Sequence, residues 1–296
     1  MSDTLLVTGA SGHLGRRVIH HLLQTLKVPA ASIIATTRKP ETLADLAALG
    51  VVVRQADFED SASLVRAFEG AQRLLLISTD ALDRPGRRIA QHHAAVAAAL
   101  KAGVKHVVYT SMPKPEPGSP IPFAPDHYET EQALAASALS WTVLRNCWYM
   151  ENLHMNLPQV LASGQWYTAA GEGKIAHISR DDCAHAAAVA LASAATDKVI
   201  YNLTGAIACG TAEIAALASE VLGKPIAVVQ VTPEALAQGM AAAGVPPFLV
   251  PLLVAFDVNT AAGNVGAVSD DFKKLTGCAP LSLREFLVAN QAAFLS

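Results

Sequence analysis

Residues 4–15 read Thr-Leu-Leu-Val-Thr-Gly-Ala-Ser-Gly-His-Leu-Gly. The apolar run Leu5 to Val7 predicts a buried strand. It runs directly into Gly9-x-x-Gly12-x-x-Gly15, and an amphipathic helical pattern follows through Val18, Ile19, Leu22 and Leu23. Strand, glycine turn and helix together form the setting in which such glycines bind a dinucleotide. Gly9 suits the tight turn, Gly12 the approach of a pyrophosphate, and Gly15 the close packing of helix on strand. The free N–H groups and positive end of the helix favour phosphate charge. Gly9, Ala10, Ser11, Gly12, His13, Leu14 and Gly15 are therefore the expected phosphate loop. A glycine-rich turn without a ligand is the plainer alternative.

The cofactor choice rests on the next strand, Ile33 to Thr36. An acid at its end would accept from a ribose 2′-hydroxyl. This chain has Thr36-Thr37-Arg38-Lys39 there, with Arg38 lying 23 positions after Gly15, close to the expected place of the selecting residue. A guanidinium forks onto phosphate oxygens, and Lys39 adds a second positive charge. The expected cofactor is NADP(H). A solvated basic turn is the alternative.

Outward from this start, strands are expected at Leu5–Val7, Ile33–Thr36, Val51–Gln55, Leu74–Ile77, Val107–Thr110 and Thr142–Leu144. Helical patterns fall near residues 13–25, 41–49, 61–69, 86–102 and 127–138. Apolar strands alternating with amphipathic helices predict an α/β fold, a doubly wound parallel-sheet Rossmann domain. A division into residues 1–145, binding NADP(H), and a smaller α/β C-terminal substrate domain, 146–296, follows from the fading of the alternation after Asn146. Some later segments are expected to return to the sheet. Ligands of such sheets bind beyond the carboxyl ends of the strands. That rule selects Asp57 and Phe58 for the adenine, Ser78 and Thr79 for ribose or phosphate, and Thr110 and Ser111 toward the nicotinamide. Residues 112–125 hold six prolines and predict a stiff exposed loop at the same edge.

Composition narrows the class of function. With 16% charged residues and a net charge of −3, the chain has no basic field for nucleic acid. Its four cysteines are far apart, matching neither a disulfide scaffold nor a metal site, and suggest a reducing, cytoplasmic setting. No signal peptide is expected, since residues 5–7 already read as a strand, and no apolar run is long enough for a membrane span. Between residues 225 and 272 there is no Lys or Arg. The greasy stretch 245–256 within it reads first as ordinary core, with a cover over a substrate pocket or a dimer contact as the other readings. A homodimer is the commonest soluble assembly.

Taken as a set, Thr8 to Gly15, Arg38, Gln55-Ala-Asp-Phe58, Leu74 to Ser78, Tyr109-Thr-Ser111, Arg145-Asn-x-Trp-Tyr-x-Glu-Asn152, Gly171-x-Gly-Lys-Ile-Ala176 and Ser269 to Gly277 resemble the NmrA-like atypical short-chain dehydrogenases. The resemblance runs nearly end to end. It implies an extended Rossmann domain, a smaller C-terminal domain and NADPH between them. Carried over by position, the glycine loop and Arg38 hold phosphates, and Asp57 and Phe58 flank the adenine. Ser78 and Thr79 run along the cofactor, and Trp148, Tyr149, Met150 and Glu151 wrap its nicotinamide half.

One departure bears on chemistry. Typical short-chain dehydrogenases use Tyr-x-x-x-Lys, in which the lysine lowers the tyrosine pKa. Here Tyr128 is followed four places on by Gln132, and no lysine occurs between Lys114 and Lys174. A ketone needs its oxygen protonated as hydride arrives. A quinone is already a strong two-electron acceptor, so positioning alone can carry much of its reduction. The expected function is NADPH-dependent hydride transfer to a quinone-like acceptor without flavin. Trp148, Tyr149 and Asn152 are the expected acceptor contacts, Asn146 and Lys174 the groups that polarise its oxygen, and His127 the proton donor; no metal is expected. The same missing pair also fits a dinucleotide-binding redox sensor with little turnover. A sugar-nucleotide epimerase ranks last, because it depends on the absent pair.

Overall fold

A computed structural model describes residues 3–296. In its first half the chain runs β1 (Leu5–Val7), α1 (His13–His20), β2 (Ile33–Thr37), α2 (Ala44–Ala48), β3 (Val52–Gln55), α3 (Ser61–Phe68), β4 (Arg73–Leu76), α4 (Arg87–Lys101), β5 (His106–Ser111), α5 (Ala124–Ala136) and β6 (Ser140–Asn146). The expected strands and helices are all present, with shifted ends. α1 passes into a wider π turn at residues 21–25. α5 begins three residues earlier than expected, because Pro125 sits in its first turn, where a missing N–H costs nothing.

The second half runs α6 (Leu157–Ser163), β7 (Gln165–Thr168), β8 (Lys174–Ile175), α7 (Arg180–Ala192), β9 (Val199–Leu203), β10 (Cys209–Gly210), α8 (Thr211–Leu222), β11 (Ala227–Gln230), α9 (Pro233–Ala242), α10 (Val250–Ala261), α11 (Asp271–Thr276), α12 (Leu283–Ala289) and α13 (Gln291–Leu295). β9 joins the main sheet, whose order is β3-β2-β1-β4-β5-β6-β9. Every pairing in that sheet is parallel. β1 lies between β2 and β4, so the crossover direction reverses there. A crevice opens at such a reversal, beyond the carboxyl ends of the strands. Two small ladders, β7 with β11 and β8 with β10, belong to the second half alone.

The sheet buries both faces. One is covered by α3 and α4 through Leu64, Phe68, Val96 and Ala99. The other is covered by α1 and α7, whose Val18, Ile19, Ala184, Ala187 and Leu191 share a core with β1, β2 and β5. Buried alanines along α7 allow close approach of the two helices. A third core, around Leu157, Trp166, Ile214 and Phe286, belongs to the second half. Arg73 of β4 stitches the halves together. Its guanidinium is buried and donates to the carbonyls of Ala190, Leu191 and Ala195 at 2.8–3.1 Å, satisfying the last turn of α7 and the chain just past it. The fold thus crosses back over residue 145, as the return of α7 and β9 shows.

Among the described residues no helix is long and apolar enough to cross a membrane. All four cysteines are free.

Candidate active site

The glycine loop has the conformation its residue types call for. Gly9 is left-handed, with φ +58°. A Cβ on Gly15 would lie 2.4 Å from the Gly9 carbonyl oxygen and 2.8 Å from the Cα of Ala10, so the helix can sit this close only without a side chain there. Gly12 is the N-cap of α1 and provides no side-chain cap, and no acid stands in the first turn. The amide groups there remain available to an anion. Arg38 follows β2, is exposed, and forms no ion pair among the described residues. Its backbone carbonyl accepts from Gln55 at 3.3 Å, which joins the ends of β2 and β3. An uncapped helix, a close glycine approach and an unpaired guanidinium fit a dinucleotide with an added phosphate.

The other expected contacts lie along the same edge. Asp57 Oδ1 accepts from the amide of Glu59 at 3.0 Å, a local turn, and Phe58 packs half-buried on the α3/α4 core. Past β4, the amide of Ser78 donates to Thr110 at 2.9 Å, and the amide of Thr79 to Nε2 of His92 at 3.0 Å. The Thr79 hydroxyl is buried with no partner. Ser111 donates to Glu131 at 2.6 Å, and Glu131 is ion-paired with Arg145 at 2.7 Å.

His127 departs from the expected role. It is fully buried between Arg88 and Tyr109. Arg88 donates to its Nε2 at 2.9 Å, and its Nδ1 lies 2.8 Å from the Tyr109 hydroxyl. Burial first, then the neighbouring Arg88 charge, pushes its pKa well below the usual 6.5. With both nitrogens engaged and the ring held neutral, His127 belongs to a structural network with His92, Thr130 and Asp126. It has no free proton to offer. Lys174 is likewise displaced: it is half-exposed and paired with Glu213 at 3.2 Å on the outer ladder.

Asn146 ends β6. Its amide donates to the hydroxyl of Tyr149 at 3.0 Å, and its Oδ1 is buried without a partner. The Tyr149 ring lies under the Arg180 guanidinium at 5.1 Å. Burial pushes its hydroxyl pKa upward, so it stays protonated. Of the expected run, Met150 points into the core of the second half. Glu151 accepts from the Arg180 amide at 2.9 and 3.1 Å, at the start of α7.

Trp148 and Asn152 open onto a cavity of about 630 Å³, walled also by Trp166, Leu236, Met240 and Phe256. The Trp148 and Phe256 rings meet edge to face, 4.1 Å apart. The stretch 245–256 therefore forms part of the wall of this cavity, while Phe248 stands 78% exposed on the outer surface. The proline-rich segment is only partly exposed: Met112 and Ile121 are buried and pack with Ala124 against Phe256.

The sequence reading missed His177 and Asp257, both of which line the cavity. Asp257 accepts from the Ala169 amide at 2.7 Å and the Thr168 hydroxyl at 2.8 Å, which ties α10 to the end of β7; burial outweighs these bonds and raises its pKa. His177 follows directly on the motif that ends at Ala176. The signal for it was a single polar residue inside an otherwise apolar run, Ile175 to Ile178.

The whole arrangement has close counterparts. Residues 1–287 match the NmrA-like family. Quinone oxidoreductase 2 of Escherichia coli is 38% identical over 95% of this chain and 96% of its own length. The crystal structure of the E. coli NADPH-dependent quinone oxidoreductase complexed with NADPH superposes with a TM-score of 0.90 at 37% identity, covering 96% of this chain and 98% of that one. Citrobacter sp. triphenylmethane reductase complexed with NADP(H) gives a TM-score of 0.89 at 36% identity, over 97% and 99% of the two chains. With a doubly wound sheet, an uncapped glycine loop and these matches along nearly its whole length, the chain belongs to the NmrA-like family.

Proposed function

We propose that this protein is an NADPH-dependent reductase that directs hydride, without flavin, to a flat quinone-like acceptor in the cavity beside Trp148. The observation that carries the reading is the continuity of the two sites. The chain leaves β6 at Asn146, at the carboxyl edge where the dinucleotide fits, and reaches the cavity wall at Trp148 two residues later. The match to solved structures holding NADPH and NADP(H) supports the cofactor.

NADPH, when bound, supplies the hydride. The chain's own residues do the rest. The glycine loop and Arg38 hold phosphates. Asn146 and Thr79 offer buried acceptor oxygens with no protein partner along the cofactor edge. Trp148 and Phe256 give an aromatic wall against which a planar acceptor stacks. The apolar lining excludes water from the transfer, so that positioning can carry much of the rate. No lysine follows Tyr128 at the usual spacing, which suits an acceptor that needs no strong acid.

Such a protein would work in a reducing compartment, where its unpaired cysteines are stable, and as a homodimer, the commonest soluble assembly. The test is to mix pure protein with NADPH and a benzoquinone or naphthoquinone and follow loss of reduced nicotinamide absorbance. Protein-dependent oxidation is expected. Its absence across quinones and dyes, with NADPH still bound, would instead favour a redox sensor.

A further inference from the structure

His177 is 6% exposed and lines the cavity, yet neither ring nitrogen has a protein partner among the described residues, and Nδ1 is sealed from solvent. By contrast, Thr168, Asn259 and Thr260 on the same lining each bond to protein. A buried polar group without a partner costs free energy, so an unpaired one that faces a cavity points to a ligand.

The direction of the side chain follows from what the short run after β8 touches. His177 lines the cavity, beside Ile175, which also packs against the core, whereas Ala176 and Ile178 lie within the core shared with α7 and the main sheet. The backbone is held on both sides. Ala176 donates to Val265 at 2.9 Å and accepts from Gly205 at 3.1 Å, and Ile178 donates to Trp148 at 3.1 Å. Gly205 crosses so closely that a Cβ on it would lie 2.1 Å from the His177 carbonyl oxygen. The imidazole is thus presented from a fixed frame, next to the residue that leads into the cavity.

We propose that His177 recognises the acceptor, donating from Nε2–H to a carbonyl oxygen on which negative charge grows during reduction, and so favours oxygen-bearing acceptors over oxygen-free ones. The proposal rests on the reductase reading above. In the reaction the acceptor gains a hydride, two electrons and a proton, from the reduced nicotinamide, which is oxidised. The acceptor oxygen takes up the negative charge, a proton from water completes the hydroquinone, and His177 keeps its own proton throughout. Burial holds the ring neutral at pH 7, its pKa lowered to about 4. A neutral imidazole still carries one donor, and a donor fixed in a dry site needs no reorganisation as charge develops.

The test compares wild type, His177→Ala and His177→Gln. The acceptors are tetramethyl-1,4-benzoquinone, whose methyl groups block addition to exposed Cys278, and malachite green, a cationic dye without oxygen. Binding to cofactor-free protein is read from quenching of the cavity tryptophans, Trp148 and Trp166. NADPH affinity and quinone turnover are read separately. His177→Ala should weaken quinone binding and lower kcat/KM for the quinone about 10-fold, the value of one net hydrogen bond. Dye binding and NADPH affinity should stay within about twofold, since only one hydrogen bond is removed. His177→Gln, which keeps an N–H at similar reach, should recover part of the loss. Unchanged quinone binding in His177→Ala, or equal losses for quinone and dye, overturns the assignment while leaving the reductase reading intact. A wild-type protein that binds neither acceptor overturns both.

Discussion

Arg88 donates to Nε2 of His127 at 2.9 Å, and that bond fixes the tautomer of the ring. Arginine has no acceptor, so Nε2 carries no proton and Nδ1–H must donate to Tyr109, 2.8 Å away. Removing the ring leaves a buried guanidinium short of a partner. His127→Ala should lower stability by about 2–3 kcal/mol, the cost of stranding a buried polar or charged group. Chemical denaturation checks the magnitude. Whatever turnover remains should keep the shape of its pH profile between about pH 6 and 8, the range in which an ordinary histidine would titrate. A profile that loses a limb would restore His127 as the proton donor.

Arg38 should decide between the two nicotinamide cofactors. Its guanidinium is exposed and unpaired among the described residues. Arg38→Ala should weaken NADPH by about 10- to 100-fold, the value of one or two charge-assisted bonds to phosphate. NADH, which lacks that phosphate, should change little. Titration of nicotinamide fluorescence measures both, and equal losses would exclude Arg38 from 2′-phosphate binding.

Gly15→Ala places a methyl group 2.4 Å from the Gly9 oxygen and against the Ala10 backbone. Backbone must move to admit it. The expected cost is about 3 kcal/mol or more, the upper range for overpacking, together with loss of dinucleotide binding because the loop itself shifts. Calorimetric unfolding and NADPH titration follow the two effects. Retained affinity at full stability would mean that the helix does not need its close approach to β1.

Acid should destabilise the protein well above the range of carboxylate titration. Burial lowers the pKa of His92 to about 3 and of His177 to about 4, and His127 lies well below 6.5. Unfolding returns each to about 6.5. The unfolded state therefore binds more protons as pH falls below 6.5, and stability is lost from there down to the folded pKa values. For a folded value near 4, the loss at pH 5 is about 2 kcal/mol per histidine. Denaturation at pH 8, 6.5 and 5 should show little change over the first interval and a steep fall over the second. A flat response to pH 5 would mean that these rings are charged in the native state.

The part of the site that was legible in the sequence is the part made locally. Gly9, Gly12 and Gly15 lie in one turn whose backbone demands them, and Arg38 ends the next strand, so spacing alone located both. The cavity is different. Its walls come from Trp148, Trp166, Leu236 and Phe256, which are distant in sequence and brought together only by packing of the second half. His127 and Lys174 drew attention as titratable groups near motifs. The first proved to be committed to Arg88, and the second lies on the outer ladder beside Glu213. Packing of the run after β8 placed His177 on the cavity instead, in a four-residue stretch too short to separate from ordinary core before its neighbours were known. The alternation of strands and helices was readable up to β6. The return of β9 was not located, since it follows an alanine-rich helix whose partner, α1, lies more than 150 residues earlier.

The guanidinium of Arg73, lodged at the end of α7, has an outcome for attempts to dissect this protein. A fragment ending near residue 145 would keep the entire glycine loop yet strip away the helix that shields one side of its sheet, leaving Arg73 without its carbonyl partners and the apolar face formed by Val7, Ala35 and Val108 open to water. Such a fragment should be an insoluble chain rather than a miniature nucleotide binder, and dinucleotide affinity is a property of the intact polypeptide.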